Sequence, residues 1–280
     1  MDKAENLSRK RSLFASAAVL APMTQAASGQ GWPAVVGIAV AAWLMSRWCG
    51  YGSGWVLAVQ KVWCCVLVSI VMKWSTYFWT GLPFCGVVPL ILLILGAWAA
   101  SVPGKAQRIG CVLLWPLLLL LGAVLLSGVS EVKLSYLRPV WEMPEPTLLA
   151  ILLLPALGCD KRRNWKMPAA ALLVSIVTTG VLTAGVSMAS PSGIYELSRS
   201  LSLLGIAERF ESLIAAAMTM GFFVGITYLL ESSGENNGSV CIYAGISAAL
   251  YLTGVLQSGW ILGLGSVLVW IVLPRISCRK

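Results

Sequence analysis

Two short stretches, "AAVLAPMTQAAS" and "AILLLPALGC", hold the residues best placed to bind something. Each is an apolar run interrupted by a proline, Pro22 in the first and Pro155 in the second. Proline brings no backbone N–H and disrupts the preceding turn, so a helix is expected to unwind at each point. At mid-membrane depth the backbone groups freed in this way must find a partner or line a cavity. The N-termini of the half-helices carry partial positive charge and suit a carboxylate. Met23, Thr24 and Gln25 follow the first break, where Thr24 and Gln25 add polar side chains to an apolar segment. Leu154, Ala156 and Gly158 surround the second, and small residues there let a ligand approach the backbone. The chemistry on offer is capture of a small amino acid between the two breaks. The alternative is a pair of kinks without function, since proline is common in membrane helices.

Catalysis finds no materials. Histidine is absent, which removes triads, His-based metal sites and the usual proton switch near neutral pH. The aspartates are Asp2 and Asp160, both in polar flanks, and no glutamate falls deep within an apolar run. Ligand response is therefore expected to vary little with pH. The eight cysteines include Cys64, Cys65, Cys85, Cys111 and Cys241 within or beside apolar runs, and no CxxC occurs. They read as small hydrophobic residues, with no metal and no cofactor expected. "GLGSV" at 263–267 reads as close helix packing by small residues, not as a phosphate loop. Lys73 is the one charge well inside a run, and snorkelling to the headgroups beside Trp74, Tyr77 and Trp79 explains it best.

The elements that must position these residues follow from composition. The chain has 280 residues, 58% hydrophobic and 11% charged, a balance that points to the bilayer. Apolar runs recur at the length that crosses ~30 Å of hydrocarbon as a helix, and strand-like alternation is missing. Ten segments are expected: 12–27, 31–48, 55–79, 84–101, 110–128, 147–158, 168–189, 210–230, 240–257 and 259–274. Let each cross once from a cytoplasmic N-terminus. Fifteen of the twenty lysines and arginines then fall inside, so both termini are expected in the cytoplasm. Tryptophans flank the runs as an interfacial belt does. The net charge of +9 is spread over loop clusters rather than a basic face with stacking aromatics, so nucleic acid is not an expected partner. Residues 12–27, after a basic start, also fit a secretory signal peptide, whose removal leaves nine spans.

The expected fold is all-α: a single polytopic membrane domain over 1–280 with a cytoplasmic tail at 1–11. Segments one and six, both short and both broken by proline, open two five-helix halves of opposite sense. That is the pattern of an inverted-repeat transporter with helices 1 and 6 interrupted. Between segments seven and eight lies "IYELSRSLSLLGIAERFESL", too charged to cross and too regularly apolar for a plain loop. Ile194, Leu197, Leu201 and Leu204 recur at helical spacing, while Glu196 and Arg199 take other faces. An amphipathic arm over 191–209 is expected to lie on the outer surface, with Glu208 and Arg209 pairing to neighbouring loops. A solvated linker with casually placed charges is the alternative.

Several stretches resemble the spore-germination permeases, the B subunits of bacterial nutrient receptors in the amino acid–polyamine–organocation superfamily. "ASGQGWPAVV" resembles their "A-G-Q-D-A-W" motif at the second helix. "LILGAWAASVPGKAQRIGCVLLWPLLLLL" is similar to their fourth and fifth helices, with Gly104 and Arg108 nearest the family's Gly and Arg. "KLSYLRPVWE" looks like their external "L-x-P-V" segment. "IYELSRSLSLLGIAERFESLIAAAMTMGFFV" resembles "ELxRxISIxxFxERxDxL" before the eighth helix. The resemblance implies a transporter-like nutrient sensor, acting with an A-type membrane subunit and a lipoprotein in the spore inner membrane. An amino-acid permease working by alternating access, or a degenerate membrane scaffold, are the competing expectations.

Overall fold

The structure, a computed structural model, describes residues 3–28, 30–79, 85–102, 104–129, 132–137, 146–155, 166–182, 210–234, 236–254 and 258–277. Every regular element among them is helical: α1 (Lys3–Ser28), α2 (Trp32–Ser46), α3 (Trp55–Tyr77), α4 (Val87–Ser101), α5 (Lys105–Val129), a short 3-10 turn (Leu134–Leu137), α6 (Thr147–Leu153), α7 (Lys166–Leu182), α8 (Phe210–Ser233), α9 (Asn237–Thr253) and α10 (Gly259–Ser277). Within α10 the turn Leu268–Val272 widens to a π-helix.

Four helices are long and apolar enough to cross a membrane: Trp55–Tyr77, Lys105–Ala123, Ser212–Ser233 and Gly259–Ser277. Trp32–Ser46, Val87–Ser101 and Ala169–Thr179 are shorter apolar helices. The chain is a helical membrane protein. Its outer helices turn large apolar side chains outward, among them Trp43, Ile94, Trp115, Leu252 and Leu264. Where such a surface meets lipid, its exposure carries no hydrophobic penalty.

The packing is led by α8, which touches α1, α3, α4, α5 and α9. Further pairs are α1 with α3, α5, α6 and α7, α2 with α6 and α7, α3 with α4, α9 and α10, α4 with α5 and α9, α5 with α7, and α6 with α10. Small residues allow the closest approaches. On α8, "GFFVG" puts Gly221 against Ala21 and Gly225 against the Ala18 carbonyl, where an added β-carbon would stand 2.9 Å from the oxygen. This is the GxxxG spacing that lets membrane helices meet backbone to backbone. On α10, a β-carbon at Gly263 would stand 2.7 Å from the Pro146 carbonyl oxygen, and Gly265 lies against Trp63. The indole N–H of Trp63 donates to Ser266 Oγ at 2.9 Å, so "GLGSV" serves helix packing.

The first helix departs from expectation. Pro22 does not interrupt it, and α1 runs unbroken from Lys3 to Ser28. One proline deletes one intrahelical hydrogen bond, the one Ala18 O would have accepted. Gly225 of α8 covers that carbonyl and also lies against the Pro22 ring, so the turn is braced instead of opened. Segment six differs. There α6 ends at Leu153, and Leu154 N–H tightens the last turn by donating to Ile151 O at 3.2 Å.

Interlocking contacts define two ends of the helix assembly. At one, Gly50 N–H donates to Trp270 O at 3.1 Å, the Ser53 and Ser277 hydroxyls stand 3.4 Å apart, and Arg275 sits over the Trp48 ring. Arg47 over Trp43 and Lys105 over Trp98 are further basic–aromatic pairs, at the end of α2 and the start of α5. At the opposite end, Trp32 Nε1 donates to Leu137 O at 3.0 Å and Trp79 Nε1 to Thr219 Oγ1 at 2.9 Å. The start of α6 meets α10 near its own start, through Pro146 and Gly263.

Candidate functional site

The residues singled out around the prolines are deeply buried. Met23, Thr24 and Gln25 are at most 4% exposed, and Leu154 and Pro155 are buried too. Thr24 Oγ1 donates to Leu20 O at 2.7 Å, back along its own helix. A hydroxyl has one donor and two acceptor lone pairs, so Thr24 can still accept from an ammonium group. Helices α1 and α6 touch, and Pro22 and Leu154 each adjoin α8, through Gly225 and Tyr228 respectively. Ala156 and Gly158 lie outside the described residues, as does the whole 191–209 arm with Glu196, Arg199, Glu208 and Arg209.

A cavity of about 300 Å³ opens at the end marked by Gly50 and Trp270, lined by Arg11, Phe14, Tyr51, Gln107, Tyr228, Glu231 and Ser232. Four elements build it: α1, the α2–α3 loop, the first turn of α5 and the last turns of α8. Phe14 and Tyr228 meet edge to face at 5.2 Å, which fixes one wall. Gln107 Nε2 reaches Glu231 Oε1 at 3.4 Å and aims the carboxylate. Tyr228 Oη stands 3.5 Å from Leu154 O, the carbonyl just before Pro155, so the wall of the cavity touches the end of α6.

Glu231 also lines a second cavity of about 600 Å³, with Ala100, Ser101, Gly104, Gly234, Asn236, Asn237 and Val240. Gly104 has φ +71°, which favours glycine, and forms the tight turn from α4 into α5. Its carbonyl accepts from Arg108 N–H at 3.3 Å, and the Arg108 side chain is exposed on the first turn of α5.

The sequence reading missed Glu231. It ended the eighth segment at Leu230, which left the next residue outside, whereas α8 continues to Ser233. The expectation that ligand response is indifferent to pH rested on there being no such carboxylate. Lys73, near the end of α3, lines a cavity of about 280 Å³ between α3 and α9 with Ser69, Thr76 and Tyr251.

A glutamine holds the cavity's loop in place. Gln60 of α3 is 1% exposed. Its Nε2 donates to Gly50 O at 3.0 Å and to Val269 O at 3.1 Å, and its Oε1 accepts from Gly52 N–H at 3.0 Å. Val269 belongs to the π turn, whose altered hydrogen bonding leaves a carbonyl for a side chain to take. Tyr51 lies between the two clamped glycines and stacks edge-on to Trp270 at 6.0 Å. Gln60 thus ties the α2–α3 loop to α10 and sets one side of the cavity.

No family model and no curated protein matches this chain.

Proposed function

We propose that the protein is a transporter-like sensor that binds a small amino acid, built as a 5+5 inverted repeat. One observation supports this reading: most of the packing pairs exchange under a shift of five helices, while α1·α8, α5·α7, α4·α5 and α1·α3 have no comparable counterpart among the described residues. The pair α3·α9 maps to α8·α4, α1·α5 to α6·α10, α1·α7 to α6·α2, α8·α5 to α3·α10 and α3·α4 to α8·α9. The pairs α1·α6, α2·α7, α3·α8 and α4·α9 each map to themselves, as pairs across a pseudo-two-fold axis do. The direction of α6 is consistent with this, since its start lies at the end opposite Arg11. Of these pairs α1·α6 carries the proline segments: Met23, Thr24 and Gln25 on α1, and Leu154, Pro155, Ala156 and Gly158 following α6, are the proposed ligand-binding residues.

The end with Arg47, Lys105 and Arg275 beside tryptophans is the cytoplasmic one, by the positive-inside rule. Both termini are then cytoplasmic, in the cell membrane or the spore inner membrane. The 191–209 arm lies outside and couples binding to an A-type membrane subunit and a lipoprotein. Sensing is preferred over the permease reading because the core clamps at Gly225 and Gln60 tie the halves together. Thermal unfolding in detergent with each proteinogenic amino acid tests the binding. At least one should raise the midpoint for the parent, and Thr24→Val should weaken that ligand tenfold or more, the loss of one polar contact at about 1–3 kcal/mol. A midpoint unmoved by all of them contradicts the proposal.

A further inference from the structure

We infer that the cavity lined by Arg11, Phe14, Tyr51, Gln107, Tyr228 and Glu231 is a second binding site, one that takes the charged head of an α-amino acid. The choice of ligand class rests on the function proposed above; the site itself rests on the geometry here.

The charges are the first argument. One cation and one carboxylate line the same small cavity, and among the described residues no ion pair joins them. Arg11 is exposed at the mouth and Glu231 is half-buried within it, so the two opposite charges leave room for a ligand between them. An α-amino acid supplies both complements on adjacent atoms. Its carboxylate suits the planar fork of the Arg11 guanidinium, and its ammonium donates to Glu231. A plain cation would leave Arg11 unanswered, and a plain anion would leave Glu231 unanswered.

The neutral lining is the second. Gln107 donates to one Glu231 oxygen at 3.4 Å, which leaves the other to face a ligand. The rings of Phe14 and Tyr228 offer an apolar wall for a side chain, and the volume of about 300 Å³ is at the small end for ligand pockets. Tyr51 is held at the rim by the Gln60 clamp on its neighbours.

Position is the third. Eleven residues of unbroken helix separate Arg11 from Pro22, about 16 Å along the axis. One amino acid cannot touch both places. A ligand in the cavity still reaches the first region indirectly, because Tyr228 adjoins the Leu154 carbonyl and Gly225, three residues away on α8, braces Pro22. The site is therefore a waiting position at the cytoplasmic mouth, in contact with the segment that leads from α6 to Pro155.

The test is the stoichiometry of binding of tritium-labelled L-alanine and L-leucine to the purified full chain. Arg11→Gln, Glu231→Gln and Ser232→Leu are compared with the parent. Ser232→Leu fills the cavity and leaves both charges in place, so it still reads the site if a charge variant folds poorly. The parent should bind two molecules per chain and each variant one. Propylamine, which offers only the ammonium, should displace the second-site molecule of the parent and leave the single molecule bound by each variant in place. If the parent binds one molecule and the cavity variants none, the cavity is the site and the region between Pro22 and Pro155 is not. Variants that bind as many molecules as the parent, with unchanged affinity, overturn the inference while leaving the proposed function standing. A parent that binds neither amino acid overturns the inference, and the proposed function falls with it only if no other proteinogenic amino acid raises the unfolding midpoint.

Discussion

Gly225 of α8 lies directly over the Ala18 carbonyl of α1, so close that a β-carbon would stand 2.9 Å from the oxygen. That carbonyl is the one Pro22 cannot serve, so glycine on one helix answers proline on another. Gly225→Ala should force the helices apart, an overpacking cost of about 1–3 kcal/mol. At this chain length the midpoint of thermal unfolding should fall by several degrees. Gly245 of α9 has no atom within 4 Å of an added β-carbon, so Gly245→Ala should leave the midpoint unchanged or slightly raised. Equal effects at both positions would show that the α1–α8 crossing does not depend on the close approach.

Gln60→Leu removes three hydrogen bonds at once and leaves the Gly52 N–H and two carbonyls to find water. The midpoint should fall, with a cost of about 1–3 kcal/mol for each buried group left unsatisfied. Hydrogen exchange should rise at residues 49–53 and in the π turn 268–272, and much less in α4. Protection unchanged at 49–53 would mean the loop holds without its clamp.

Topology can be read at two exposed residues, Ser53 between α2 and α3 and Ser258 before α10. In a background without native cysteines, Ser53→Cys should react with an impermeant maleimide only from the cytoplasmic side. Ser258→Cys should react only from the outside. The reverse pattern would invert the orientation, and labelling of both from one side would break the alternate crossing on which the repeat depends.

Much of the fold was legible in the apolar runs: each of the ten described helices falls within or overlaps one of them, and four reach the length and apolarity that cross a membrane. The small-residue reading of "GLGSV" also fits, since Gly263, Gly265 and Ser266 each meet a neighbour. Pro22 misled because local sequence shows only the lost hydrogen bond. Whether a helix then opens depends on what covers the freed carbonyl, and Gly225 is far away in the chain. The cavity was illegible for the same reason. Arg11, Tyr51, Gln107 and Glu231 come from four elements, and each taken alone is an ordinary polar residue at a helix end. The arm around Glu208 and Arg209 and the residues after Pro155 fall outside the described structure, so those parts of the expected site stand as proposals.

The central claim, binding of an amino acid without its transport, is tested most directly in proteoliposomes of varied internal volume. The amino acid that most raises the unfolding midpoint is supplied with a tritium label, with and without an imposed proton gradient. The account predicts that retained label saturates in proportion to protein, is independent of internal volume and is displaced by excess unlabelled ligand. Accumulation that scales with internal volume or responds to the gradient would contradict it and make the protein a permease.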